Sequence, residues 1–228
     1  MAGLFLLLPG INNLFCQTNE HFTFSWSEQR FQNQNGEIRC FIKGIAQPLV
    51  GSGFVFGSNN DVVTCKHVLD IAEGMAQTSN LVYIASDNII YILKQKLILT
   101  NYDIAVFSTV PKMTNTDPFV MGDFKKLTNS SGLAYIGFDI RQNHRVIAAS
   151  SVSFKGTDEV NGSHVDYIDF PSIAIPGYSG GGVFNSKGEI IGIICLRIPK
   201  ADGTLVTRAK SINVLSNLCK STDLSQRQ

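Results

Sequence analysis

Apolar and polar residues alternate with a period of two through a series of short segments rich in Val, Ile, Thr and aromatic side chains. Each is bounded by Gly, Asn, Asp or Pro. That period places alternate side chains on opposite faces of an extended backbone, so the chain is expected to be all-β. The expected strands fall into two sets, 22–26, 37–45, 49–56, 62–65, 82–85, 89–97 and 104–109, then 132–138, 145–154, 165–170, 181–185, 189–196 and 205–210. Between them lies a polar stretch, 111–131, with two prolines and several Asn and Thr, which reads as a linker between two β units of about six strands each. Only 68–76 and 212–220 carry helical spacing, the second with Ile212, Leu215, Leu218 and Cys219 on one side, as for a short terminal helix packed on the sheets. The expected organisation is an N-terminal extension (1–20), a first β unit (21–110), the linker (111–131), a second β unit with its helix (132–221) and a tail (222–228).

Composition excludes several classes of function. At 44% apolar and 16% charged over 228 residues, the chain is unlike a disordered polymer. A formal charge of +1 with no block of basic residues lacks the footprint of a nucleic-acid binder. The amino-terminal apolar run ends at Pro9-Gly10, short of the roughly 20 residues a membrane helix needs. It has no preceding Lys or Arg, so neither a membrane anchor nor a secretory signal is expected. The five cysteines, Cys16, Cys40, Cys65, Cys195 and Cys219, are irregularly spaced with no CxxC pair. No metal site, cofactor or disulfide framework is expected, and the cysteines read as buried thiols of a cytoplasmic rather than a secreted protein.

The sharpest local signal is Pro176-Gly177-Tyr178-Ser179-Gly180-Gly181-Gly182. A serine becomes a useful nucleophile where tight backbone aims several amide N–H groups at the site of a developing oxyanion, and glycine permits such turns. With 20 glycines in the chain, a chance G-x-S-G-G is roughly a one-per-cent event. The bland alternative is a glycine-rich hairpin. A nucleophile elbow fits less well, since 183–190 reads as strand, turn and strand where that motif needs a helix.

The serine needs a base, and the candidates are His21, His67, His144 and His164. His67 stands out because it follows the strand Val62-Val63-Thr64-Cys65 and opens a short helix, which puts its ring at a strand mouth. Of the carboxylates that would hold the imidazole, Asp103 is preferred. It starts the apolar strand Ile104-Ala105-Val106, where an unpaired acid would be costly. Asp61 and Asp70 read as turn and helix-face residues.

Taken in order, Gly51-Ser52-Gly53-Phe54-Val55-Phe56, Val63-Thr64-Cys65-Lys66-His67-Val68, Tyr102-Asp103-Ile104-Ala105-Val106, Pro176-Gly177-Tyr178-Ser179-Gly180-Gly181 and Gly188-Glu189-Ile190-Ile191-Gly192-Ile193 resemble the motif series of the trypsin-like serine peptidases, with the strongest likeness to the HtrA-like branch. The resemblance runs from about Gly51 to Leu215. It implies two six-stranded antiparallel barrels packed around a cleft. It implies that His67 is general base and acid, Asp103 orients it, Ser179 attacks the scissile carbonyl, and the amides of Gly177 and Ser179 form the oxyanion hole. Cys195-Leu196-Arg197 matches the edge strand that pairs with substrate, a protein or peptide.

Three departures from the family pattern qualify it. Tyr178 stands where activated zymogens carry an Asp, so activation through a new amino terminus is not expected. No disulfide cysteine follows His67. After Ser179 only the last strands and helix are expected, with no PDZ domain. Ile173 occupies the position that selects basic side chains in trypsins, which disfavours Lys or Arg and points to a small or medium apolar residue at P1. Arg197 would sit at the rim as a solvated cation. A serine endopeptidase is the leading reading. A catalytically silent barrel pair used for binding and an esterase on the same machinery are the alternatives, and any activating partner is unidentified.

Overall fold

Why the alternating segments become strands is visible in their burial. In β3 (Asp61–Cys65) every residue is buried, while β5 (Ile90–Leu99) hides Tyr91 and Leu93 and leaves Ile90 and Ile92 to solvent. The computed structural model describes residues 34–41, 49–75, 80–85, 88–114, 118–141, 144–172 and 175–216. β1 (Asn35–Phe41), β2 (Leu49–Phe56), β3, β4 (Asn80–Ile84), β5 and β6 (Ile104–Val110) form a closed barrel in the order β1-β2-β3-β6-β5-β4. Helix α1 (Lys66–Met75) follows β3 directly, turning Val68 and Ala72 inward and Asp70 and Glu73 outward.

The second unit contains β7 (Gly132–Asp139), β8 (His144–Ser151), β9 (Phe154–Val160), β10 (Ser163–Phe170), β11 (Gly182–Asn185), β12 (Ile190–Pro199) and β13 (Leu205–Ser211). They make one seven-stranded antiparallel sheet, ordered β8-β7-β11-β12-β13-β10-β9. The all-β expectation holds. One expected strand, 145–154, divides in two. After β8 pairs with β7, Val152 exchanges hydrogen bonds with Ser130 and Ser131. The N–H and hydroxyl of Ser153 both donate to Asp169 O, and the chain then pairs with β10 as β9. β9 lies on the sheet edge with half-exposed polar residues, so its sequence carries little strand signal.

The segment between the sheets is tied to both. Phe119 bridges to Phe56 of the barrel, Met121 bridges to Ile190, and the rings of Phe119 and Phe184 lie 4.6 Å apart. Consequently one apolar cluster runs from the barrel into Phe184, Ile190, Ile193 and Cys195 of the second sheet. The expected strand 22–26 lies outside the described residues. Of the expected helix 212–220, the described part holds a 3-10 turn at Asn213–Leu215, with Leu215 buried, and residues 217–220 lie outside the described set.

Candidate active site

Two connections at one edge of the barrel bring His67 and Asp103 together. β3 pairs with β6 so that Cys65 faces Ile104, which places the residues just beyond each strand side by side. Lys66 N–H donates to Asp103 O at 3.0 Å. Asp103 ends the 3-10 turn Thr100–Tyr102 in the left-handed region (φ 56°), a conformation aspartate tolerates better than most residues. Its Oδ1 accepts the backbone N–H of His67 at 2.9 Å, and its Oδ2 lies 2.7 Å from His67 Nδ1. One carboxylate therefore holds both backbone and ring. With the Nδ1 proton given to Oδ2, Nε2 keeps its lone pair for an incoming proton.

Ser179 is shaped by two consecutive turns. In Ile175-Pro176-Gly177-Tyr178 the N–H of Tyr178 donates to Ile175 O at 3.1 Å. Proline at the second position and Gly177 at the third (φ +102°) make a type II turn. The next turn, Tyr178 to Gly181, closes through Gly181 N–H to Tyr178 O at 2.9 Å, with Gly180 at φ +88°. A side chain at Gly180 would collide with Ser52 O and Thr64 Oγ1, and one at Gly177 with Phe138 O. Both positions require glycine on two counts, conformation and space. Tyr178 N–H, Gly180 N–H and Gly181 N–H are spent on these turns and on Ile194 O. Among the described residues, the N–H groups of Gly177 and Ser179 meet no acceptor.

Ser52 of β2 joins this loop to the barrel. Its N–H donates to Ser179 O (2.8 Å), its Oγ donates to Gly177 O (2.6 Å) and accepts Phe138 N–H (2.9 Å), and its carbonyl accepts Thr64 Oγ1 (2.7 Å). Gly51 fills the gap beside it: a Cβ there would lie 2.7 Å from Val68 Cγ2 and 2.9 Å from Ser179 O. The residue after His67 and the serine thus flank one glycine. Tyr178 points away into the second sheet, 5% exposed, its ring against Gly137 and 6.2 Å from that of Tyr135. Burial, then the nearby Tyr135 and Asp139, push its phenol well above the ordinary value.

The cleft beside Ser179 has a volume of about 200 Å³ and is lined by Ile175, Pro176, Ile194, Cys195, Leu196 and Arg197. Of the residues expected to contact substrate, Cys195, Leu196 and Arg197 share this wall with Ser179, while Ile173 lies outside the described residues. Two features escaped the sequence reading. One is Ser52, whose signal was a polar residue between two glycines in an otherwise apolar strand. The other is the thiol pair Cys65 and Cys195, with Sγ atoms 3.4 Å apart and one Asp103 oxygen in the same cluster, all three donor atoms lying within 4.8 Å of one another. Burial, with the Cys195 hydrogen bond next, pushes the Cys65 thiol well above its ordinary range.

A trypsin-like peptidase domain is matched over residues 51–193, most of the described chain. The chain belongs to the trypsin-like peptidase family. Two relatives show where this trypsin-like peptidase stands. A probable periplasmic serine endoprotease, DegP-like, of Pseudomonas putida (strain F1) is 32% identical over 146 residues, 63% of this chain and 28% of that protein. A protein of the same description from Marinomonas sp. (strain MWYL1) is 31% identical over 179 residues, 78% of this chain and 35% of that protein. The chain therefore spans about a third or less of the relatives it matches. The solved structure of the HtrA-type protease AlgW with a decapeptide superposes with a TM-score of 0.68 at 15% identity, over 85% of this chain and 65% of that one. The HtrA-branch resemblance is borne out by these matches. The cytoplasmic expectation is corrected, because the relatives are named periplasmic. It rested on cysteine spacing along the chain, which cannot reveal that Cys65 and Cys195 meet in space. No helix among the described residues is long and apolar enough to cross a membrane.

Proposed function

We propose that the chain is a serine endopeptidase of the HtrA type that cleaves polypeptides through an acyl-enzyme. The observation that carries this reading is the doubly held His67–Asp103 pair together with a serine presented by two glycine-dependent turns, the two parts being joined through Gly51, which packs against both Val68 and Ser179 O. His67 Nε2 takes the Ser179 hydroxyl proton as Oγ bonds to the scissile carbonyl carbon. The carbonyl oxygen, now an anion, is met by the N–H groups of Gly177 and Ser179, which have no other acceptor among the described residues. The C–N bond breaks as His67 returns the proton to the leaving amine, and water, deprotonated by His67 in turn, hydrolyses the ester. Asp103 holds the ring in the tautomer this needs and balances the imidazolium charge.

Substrate is expected to add as a strand against Cys195-Leu196-Arg197, where β12 runs past the cleft with Leu196 and Arg197 open to solvent. Ile175, Ile194 and Leu196 make the walls apolar, which supports a small or medium apolar P1 side chain. A fluorophosphonate probe and a diverse peptide library, each applied to the wild-type chain and to Ser179→Ala, test the reading. Labelling and cleavage by the wild type alone are expected, with apolar residues before the cut. Equal labelling of both, or labelling of neither, would overturn it in favour of a binding module. Ester turnover without peptide cleavage would favour the esterase.

A further inference from the structure

We propose that Cys65 and Cys195 are a peroxide-oxidisable pair whose disulfide cross-links the two sheets directly behind Asp103. The residues lie 130 apart in sequence, one ending β3 of the barrel and the other on β12 of the second sheet, yet their Sγ atoms are 3.4 Å apart. Cys65 Sγ also contacts Ile194 O at 3.1 Å, so the thiol is directed across the junction and not along its own strand.

Cys195 falls where the β12–β13 register shifts between Ile194 and Leu196, a bulge that takes it out of the ladder. Bulges re-aim a side chain, and this one brings the sulfur to Cys65. A disulfide needs the sulfurs at about 2.05 Å, so each strand end has to give by roughly 0.7 Å. The nearby carboxylate does not turn the pair into a metal site, because both Asp103 oxygens are already engaged by His67.

Access sets the class of oxidant. Cys65 is fully buried and Cys195 is 3% exposed, but Cys195 lines the substrate cleft. A peroxide is small enough to enter there. Cys195 thiolate attacks one peroxide oxygen, giving a sulfenic acid and releasing hydroxide. That hydroxide takes the proton of the buried Cys65 thiol, whose sulfur attacks Cys195 Sγ, forming the S–S bond and expelling the sulfenic hydroxyl as a second hydroxide. With the two thiol protons, the balance is two thiols and one hydrogen peroxide to one disulfide and two waters.

The test uses the full 228-residue chain, reduced, desalted, exposed to hydrogen peroxide, alkylated in denaturant, digested and mapped by mass spectrometry. The expected product is the Cys65 peptide joined to the Cys195 peptide, with loss of two hydrogens, reversed by dithiothreitol, while Cys40 stays alkylated. A cross-link enclosing so long a loop is expected to raise Tm by roughly 5–15 °C, a gain absent in Cys65→Ala. Alkylation of both cysteines, sulfinic acid at Cys195, or either residue joined to another cysteine would overturn the proposal. If Cys65→Ala fails to fold, the wild-type peptide map still decides. None of these readouts depends on peptide hydrolysis, so the cross-link and the peptidase reading stand or fall separately.

Discussion

Replacing Ser52 by alanine removes one oxygen and, with it, the side-chain part of the tether between the barrel and the loop that carries Ser179, leaving the backbone bond from Ser52 N–H to Ser179 O. Two hydrogen bonds are lost, Oγ to Gly177 O (2.6 Å) and Phe138 N–H to Oγ (2.9 Å), and both backbone groups stay where they are. Ser52 is 1% exposed, and the space vacated by a single oxygen is smaller than a water molecule, so no solvent replaces it. Each stranded group costs about 1–3 kcal/mol, which puts the loss of stability at roughly 2–6 kcal/mol. For a chain of this size that corresponds to a Tm lower by roughly 4–24 °C. Gly177 is the third residue of a turn whose carbonyl has lost its partner, so the N–H groups proposed to meet the oxyanion are less firmly aimed. Misplacement of about 1 Å costs on the order of 100-fold in rate. Thermal unfolding by circular dichroism and the rate of fluorophosphonate labelling report the two effects independently. A Tm within about 1 °C of wild type together with an unchanged labelling rate would refute the reasoning, since it would mean that Ser52 holds nothing in place.

Asp103→Asn should lower kcat by about 10⁴-fold with little change in KM, because an amide facing Nδ1 favours the wrong imidazole tautomer; steady-state kinetics on a peptide substrate measure both. Gly180→Ala places a Cβ against Ser52 O and Thr64 Oγ1 at φ +88° and should cost more than about 3 kcal/mol, visible as loss of soluble protein or a large drop in denaturant midpoint. Alkaline pH should weaken the fold through Cys65. Burial holds its thiol neutral in the folded chain, whereas the unfolded thiol titrates near 9.0, so the folded state binds more protons above that pH. The contribution is complete below about pH 9 and is lost as pH rises towards the folded value. Tm measured in reducing buffer from pH 7 to pH 10.5 should fall, and fall less steeply in Cys65→Ala.

Legibility followed the range of the interaction. β2 spans the residues its alternation suggested, and His67 opens α1 at the end of β3, because both depend on neighbours in the chain. β9 was missed because it is an edge strand of Lys, Thr, Asp and Glu, held by pairing with β10 and not by a buried face. Asp103 was readable because an acid opening a buried strand demands a partner. The left-handed turn that aims its two oxygens at His67 was not, since many residue types precede strands. Ser52 and the Cys65–Cys195 contact join residues 125 and 130 apart, and no local pattern encodes which face of one sheet meets the other.

The residue before the serine shows how the loop keeps its shape. Family members activated by cleavage place an Asp there, and an ion pair to a new amino terminus draws the loop into position. Tyr178 has no charge to offer such a partner. Its ring instead lies against Gly137 and near Tyr135, both on β7, so the force on the loop is burial of an aromatic side chain in the second sheet. On the other side Gly180 fits against Ser52 and Thr64 of the barrel, and Gly180 N–H binds Ile194 O of β12. Each of these contacts exists as soon as the two sheets have folded and docked. The turn geometry around Ser179 is therefore a property of the docked sheets themselves, and whatever loosens their junction should act on the serine without touching it.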